Sequence, residues 1–169
     1  MVNKEQRATV AVADSSFLIA VCWLGLVDVL AEIFSEIYIP EAVWREVVEE
    51  GGEREETVPL RCSNAVQRSS VAETERLRLL KFFLDEGEAE VISLALERNV
   101  SIVLIDEIKA RKVAQQMGLY TIGTLGFLLL AKELRYIEQV RPLLDTLLAK
   151  GFRVSKELQE AVLRTAGEQ

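Results

Sequence analysis

Val100-Ser101-Ile102-Val103-Leu104-Ile105-Asp106 decides the fold. Its run of branched apolar residues lacks the alternation of a half-exposed strand and suits one buried on both faces, as the inner strands of a parallel sheet are. The run ends at a carboxylate, and helical spacing follows as far as Met117, where Gly118 closes it. The same order occurs at the start of the chain. Val10-Ala11-Val12-Ala13 leads to Asp14, and residues 16–33 carry helical spacing with a break near Gly25. Glu36-Ile37-Tyr38-Ile39 reads as another strand, with Pro40 in the first turn of a helix that reaches about Gly51. Leu119-Tyr120-Thr121-Ile122 reads as the last strand, which Gly123-Thr124-Leu125-Gly126 turns into a helix over 127–135. Residues 73–84, 88–98, 140–150 and 155–166 also have helical spacing, whereas 51–72 is polar, with Gly51-Gly52 and Pro59. That stretch is expected to be a loop with a short edge strand near 63–66. Strands alternating with helices predict an α/β fold: a central parallel sheet covered on both faces.

Half of the 169 residues are hydrophobic, enough for one substantial core, and one domain over 1–169 is expected, with two helices ending it. Cys22 and Cys62 have no close-spaced partner and suggest neither a zinc ligand set nor a disulfide framework. Ala11-Val12-Ala13 echoes a signal-peptidase site, but no apolar region precedes it. The longest apolar stretch, 17–30, contains Gly25 and Asp28 and falls short of the ~20 residues a membrane span needs. The expectation is a cytoplasmic protein without a membrane partner.

Twenty basic residues against 27 acidic ones give a net charge of −7, which argues against a protein that grips nucleic acid over a broad basic surface. Any such contact must be local. The chain has no histidine, so the commonest general base and zinc ligand are missing. Hydrolysis would rest on carboxylates, hydroxyls and a hard cation.

In open parallel sheets ligands bind beyond the carboxyl ends of the strands, where Asp14 and Asp106 both sit. Each also precedes a helix and could be its N-cap. Together, at two apolar strand ends, they suggest a cradle for a cation that prefers oxygen ligands. Glu88 shares a helix face with Val91, Ile92 and Ala95 and is expected to point inward; Glu90 falls on the opposite face, near Glu97, where solvent would satisfy it. Glu88 could equally complete an Asp85-x-x-Glu88 capping pair. Glu46 lies at the edge of the stripe Val43, Trp44, Val47 and Val48, and helical phase does not choose between Glu46 and Glu50.

Four ordered segments carry a family resemblance: Ala13-Asp14-Ser15-Ser16, Ile39-Pro40-Glu41-Ala42-Val43-Trp44-Arg45-Glu46-Val47, Gly87-Glu88-Ala89-Glu90-Val91-Ile92-Ser93-Leu94-Ala95, and Leu104-Ile105-Asp106-Glu107. They resemble the successive motifs of PIN domains, especially the archaeal and bacterial PIN-like branch labelled nucleic-acid-binding proteins. The likeness continues through Gly123-Thr124-Leu125-Gly126, Pro142-Leu143-Leu144-Asp145 and Gly151-Phe152-Arg153-Val154-Ser155, leaving only 51–72 unplaced. It implies a three-layer α/β/α sandwich with a parallel sheet of order 3-2-1-4-5. It also implies an acidic site of Asp14, Glu46, Glu88 and Asp106, supported by the Ser16 hydroxyl, with Asp14, Glu88 and Asp106 holding Mg²⁺ or Mn²⁺. Glu90 or Glu107 could share or replace the roles of Glu88 and Asp106, because the third and fourth motifs each carry two acids.

The expected activity is hydrolysis of RNA phosphodiester bonds by a metal-dependent endoribonuclease. Lys109, Arg111 and Lys112 are candidates for phosphate contacts, Arg111 the one the resemblance favours; the alternative is a solvated basic helix face. Family members commonly serve as toxins of toxin–antitoxin pairs, so the partners implied are RNA, a small antitoxin protein and a second copy of the chain. Two rivals remain. A phosphatase using Asp14 as nucleophile would usually carry a second aspartate two residues on, where this chain has Ser16. A PIN-fold binding module without turnover would use the acids as caps.

Overall fold

The structure, a computed structural model, describes residues 9–51 and 54–168. Five strands form one parallel sheet: β1 (Val10–Ala13), β2 (Glu36–Pro40), β3 (Val66–Ser69), β4 (Ile102–Leu104) and β5 (Tyr120–Ile122), in the order 3-2-1-4-5. Strand β1 sits at the centre, with Ala11, Val12 and Ala13 wholly buried; small side chains there let the flanking layers come close. Ala13 is paired with Leu104, and the Asp14 amide donates to the Leu104 carbonyl at 2.9 Å. The sheet reverses its order between β1 and β4, so the residues leaving these two strands emerge side by side.

Helices flank the sheet: α1 (Ser15–Trp23), α2 (Val27–Ile33), α3 (Glu41–Trp44), α4 (Val58–Cys62), α5 (Glu75–Lys81), α6 (Glu86–Glu97), α7 (Ile108–Gln116), α8 (Thr124–Glu133), α9 (Arg141–Ala149) and α10 (Lys156–Thr165). Helix α6 packs against β1, β2 and β4 and is enclosed by α3, α5 and α7. Phe17 and Phe127 join α1 to α8 edge to face, their ring centres 5.6 Å apart. Gly25, at φ +65°, makes the break between α1 and α2, a left-handed conformation that costs glycine least. No single helix among the described residues is long and apolar enough to cross a membrane.

Three local expectations change. Pro40 is the last residue of β2 rather than part of the helix, as suits a residue whose φ fits an extended strand end. The helix after it runs as α3 and then widens into a π-helical segment, Arg45–Glu50, before Gly51. The stretch 51–72 is not chiefly loop: its described residues contain a 3₁₀ turn (Glu55–Thr57), α4 and then β3, which is the expected edge strand shifted by three residues. Strand β3 pattern is polar because only one neighbour covers it at the sheet edge, so it lacked the apolar run that marks an inner strand.

Candidate active site

Asp14 stands at the N-cap position of α1, yet its side chain makes no capping hydrogen bond. It is 3% exposed. Ser16 Oγ donates to its Oδ2 at 3.2 Å, and Oδ1 has no hydrogen-bond partner. Burial, first, then the nearby charges of Asp85 and Glu88 push its pKa up to about 7, against the opposing pull of the Ser15 amide and Ser16 hydroxyl. A buried carboxylate with an unsatisfied oxygen is costly unless something electropositive meets it.

Asp85 and Glu88 form a capping box at the start of α6. The Glu88 amide donates to Asp85 Oδ1 at 2.8 Å, and the Asp85 amide donates to Glu88 Oε2 at 3.1 Å. The box is therefore real, but it does not remove Glu88 from the acidic group. Glu88 is 8% exposed, and its pKa is raised by burial, then by Asp85 and Glu107. Gly87 lies beside both acids: a Cβ built on it would lie 3.6 Å, an ordinary contact distance, from both Asp14 Oδ1 and Asp85 Oδ1. Asp85 is the residue that sequence reasoning missed as a site member, having read it only as a cap.

Asp106 is not the cap of α7 either, since Glu107 takes that place and accepts from the Ala110 amide at 2.9 Å. Asp106 instead binds Thr124, accepting from its amide at 2.7 Å and its hydroxyl at 2.6 Å, and so fastens the start of α8 to the end of β4. Burial raises its pKa, while Thr124 and the Arg111 charge oppose the rise. A Cβ on Gly123 would lie 2.7 Å from Arg111 Nη1 and 2.9 Å from Asp106 Oδ1, so both side chains rest on that glycine. Ser16 and Asp106 line one cavity with Arg111, which joins the Asp14 neighbourhood to the end of β4.

The sequence model of a family described as PIN domain matches residues 10–168. The chain belongs to the PIN-domain family. No curated protein and no solved structure matches it. PIN domains are usually nucleases and typically bind divalent metal ions, so the acids of this PIN domain must be tested against such an ion.

The donor chemistry fits. The cluster offers oxygen ligands alone, which Mg²⁺ and Mn²⁺ prefer, and Asp14 Oδ1 is an oxygen in want of a partner. Among the described residues no group of three or more acids stands close enough together to hold an ion as it is. Like charges keep apart without a cation between them, and Mg²⁺ retains several waters while taking only one or two carboxylates directly.

The other candidates of this PIN domain separate cleanly. Glu46 is exposed on the π-helical segment and lines a different cavity, with Cys22, Trp23, Glu50 and Arg54. Glu50 lines the same cavity, so the cavity does not choose between the two residues that helical phase left open. Glu90 corrects an expectation: it is 9% exposed, not solvated, and its Oε2 accepts from the Ala42 amide at 2.9 Å. Helix α6 is buried on every side from Gly87 to Ala95, so the solvent face that periodicity assumes does not exist there. Glu107 is exposed and employed as a cap. Of the basic residues, Arg111 faces Asp106, Lys109 is close enough to lower the pKa of Glu88, and Lys112 is exposed.

Proposed function

We propose that this PIN domain is a Mg²⁺- or Mn²⁺-dependent endoribonuclease working on single-stranded RNA. The observation that carries the reading is the buried Asp14, with its unpartnered Oδ1 and its carboxylate neighbours, at the carboxyl end of the central strand. Asp14, Glu88 and Asp106 would hold the ion, with Asp85 completing the negative field and Ser16 fixing the orientation of Asp14. When bound, a divalent ion supplies a water of lowered pKa and neutralises charge on the phosphoryl oxygens. The chain itself does the positioning. Asp14 must release its proton before it can act as a ligand, Asp106 is locked in one orientation by Thr124, and Arg111 lies where a phosphate beside Asp106 would meet a fixed cation. Ser16, two residues after Asp14, offers it a hydroxyl, not the second acid a phosphotransfer from Asp14 would use.

The proposed setting is the toxin half of a toxin–antitoxin pair in the cytoplasm, with a small antitoxin covering the cleft; the family resemblance supports it. The test is cleavage of a labelled single-stranded RNA by purified protein. Cleavage with Mg²⁺ or Mn²⁺ that vanishes in excess EDTA is expected. Cleavage undiminished in EDTA would sink the metal-dependent reading. The structural work already done by Asp106 and Glu88 favours one alternative, a PIN module that binds without turnover. Ion binding with no cleavage of any RNA would select it.

A further inference from the structure

Beyond the acidic group, a cavity of about 530 Å³ opens next to Ser16 and Asp106 and runs to the connection between α9 and α10. Its size lies in the range of about 300–1,000 Å³ usual for small-molecule ligands. One wall carries Arg111 and Ile108, from α7; the other carries Phe152, Arg153 and Leu158. Ile108 is 68% and Leu158 48% exposed, apolar area left to water in the free protein. Arg153 is exposed and takes part in no ion pair among the described residues.

We propose that this groove seats an unpaired nucleotide of the substrate strand next to the bond that is cut, with Phe152 against the base and Arg111 and Arg153 on flanking phosphates. The proposal rests on the ribonuclease reading for its substrate and adds to it a binding site on the C-terminal part of the chain. Its support is chemical. A single strand presents anions and flat apolar rings together, and this groove presents guanidinium groups and apolar side chains together. In a protein of net charge −7, RNA needs cations placed where it must lie, and Arg111 and Arg153 both line this cavity together with Asp106. Gly126 also lines it, and its lack of a side chain leaves room there for a flat base. Paired bases could not enter, because their faces are held inside the duplex stack.

The test reads binding without turnover: fluorescence anisotropy of a labelled decauridylate with the full chain in excess EDTA. Phe152→Leu keeps apolar bulk but loses the ring face, and it should bind at least about fivefold more weakly. Arg153→Gln should also bind more weakly and show a shallower dependence on salt. Phe82→Leu, at an exposed position outside the groove, should bind as wild type does. Circular-dichroism melts establish that each variant is folded. Wild-type affinity in both groove variants, or equal affinity for a blunt duplex, overturns the proposal. So does a short acidic amphipathic peptide that displaces the strand better than unlabelled RNA, which would assign the groove to a protein. RNA that binds in this way but is never cut defeats the nuclease reading and leaves the subsite; cutting with unaltered binding in both variants does the reverse.

Discussion

Asp14 holds its proton in the folded chain up to a pH of about 7, whereas an unfolded chain releases it near the ordinary 3.8. Folding without metal therefore takes up a proton between these values, and the contribution of Asp14 to stability is complete below the lower value and lost as pH rises through the upper one. The loss across the window is on the order of 4 kcal/mol. Asp14→Asn removes this titration and keeps a side chain able to accept from Ser16. In EDTA, the melting temperature of the Asn variant should exceed that of wild type by more at pH 8 than at pH 4.5, and with Mg²⁺ supplied the variant should not cleave RNA. Calorimetric melts at the two pH values measure the difference. If the gap is the same at both, Asp14 does not carry the shift that its burial and its neighbours impose. Sequence alone could place Asp14 at a strand end, but not its unpartnered oxygen, because that depends on Gly87 and Asp85 arriving from α6.

Helix α6 shows where periodicity stops being informative. A helix with one wet face reveals its inward residues by phase, but α6 is covered by the inner strands of the sheet, α3, α5 and α7 at once. Glu88 and Glu90 are consequently both buried and have different work. Glu90 binds the Ala42 amide and ties α6 to α3, while Glu88 faces the acids at the strand ends. Glu88→Gln is expected to abolish cleavage with little change in melting temperature. Glu90→Ala leaves a buried amide unpaired, which costs roughly 1–3 kcal/mol, and the folded fraction should still cleave. Chemical denaturation and initial cleavage rates on both variants separate the two roles. Equal rate losses after correcting for the folded fraction would show that both carboxylates serve the same site. The inner strands β1 and β4 were legible because burial on both faces demands continuous apolar residues. Strand β3 was legible only as an edge strand with its bounds displaced, because an edge lacks the apolar run, and the π-helical segment was not legible because six residues are too few for a different period to show. Asp106 was legible as a strand-end acid, but its bond to Thr124 joins residues 18 apart and follows only from the pairing of β4 with β5.

At the scale of the whole molecule, the net charge of −7 means that any added cation relieves some repulsion, so stabilisation by Mg²⁺ does not by itself establish a site. The site has a distinguishing property, which is the proton on Asp14. A carboxylate must be deprotonated to ligate a metal, so each pH unit below about 7 weakens binding at this site roughly tenfold. An ion that binds only the folded chain stabilises it according to its affinity. At matched ionic strength, made up with NaCl, millimolar Mg²⁺ should therefore raise the melting temperature of wild type more at pH 8 than at pH 6, while Asp14→Asn gains little at either. The comparison with NaCl removes the screening common to all cations, and the variant removes whatever Mg²⁺ does elsewhere on the surface. A shift of the same size at both pH values, or one that survives intact in the variant, would place the ion away from Asp14 and would leave the buried carboxylates of this PIN domain without the partner their chemistry requires.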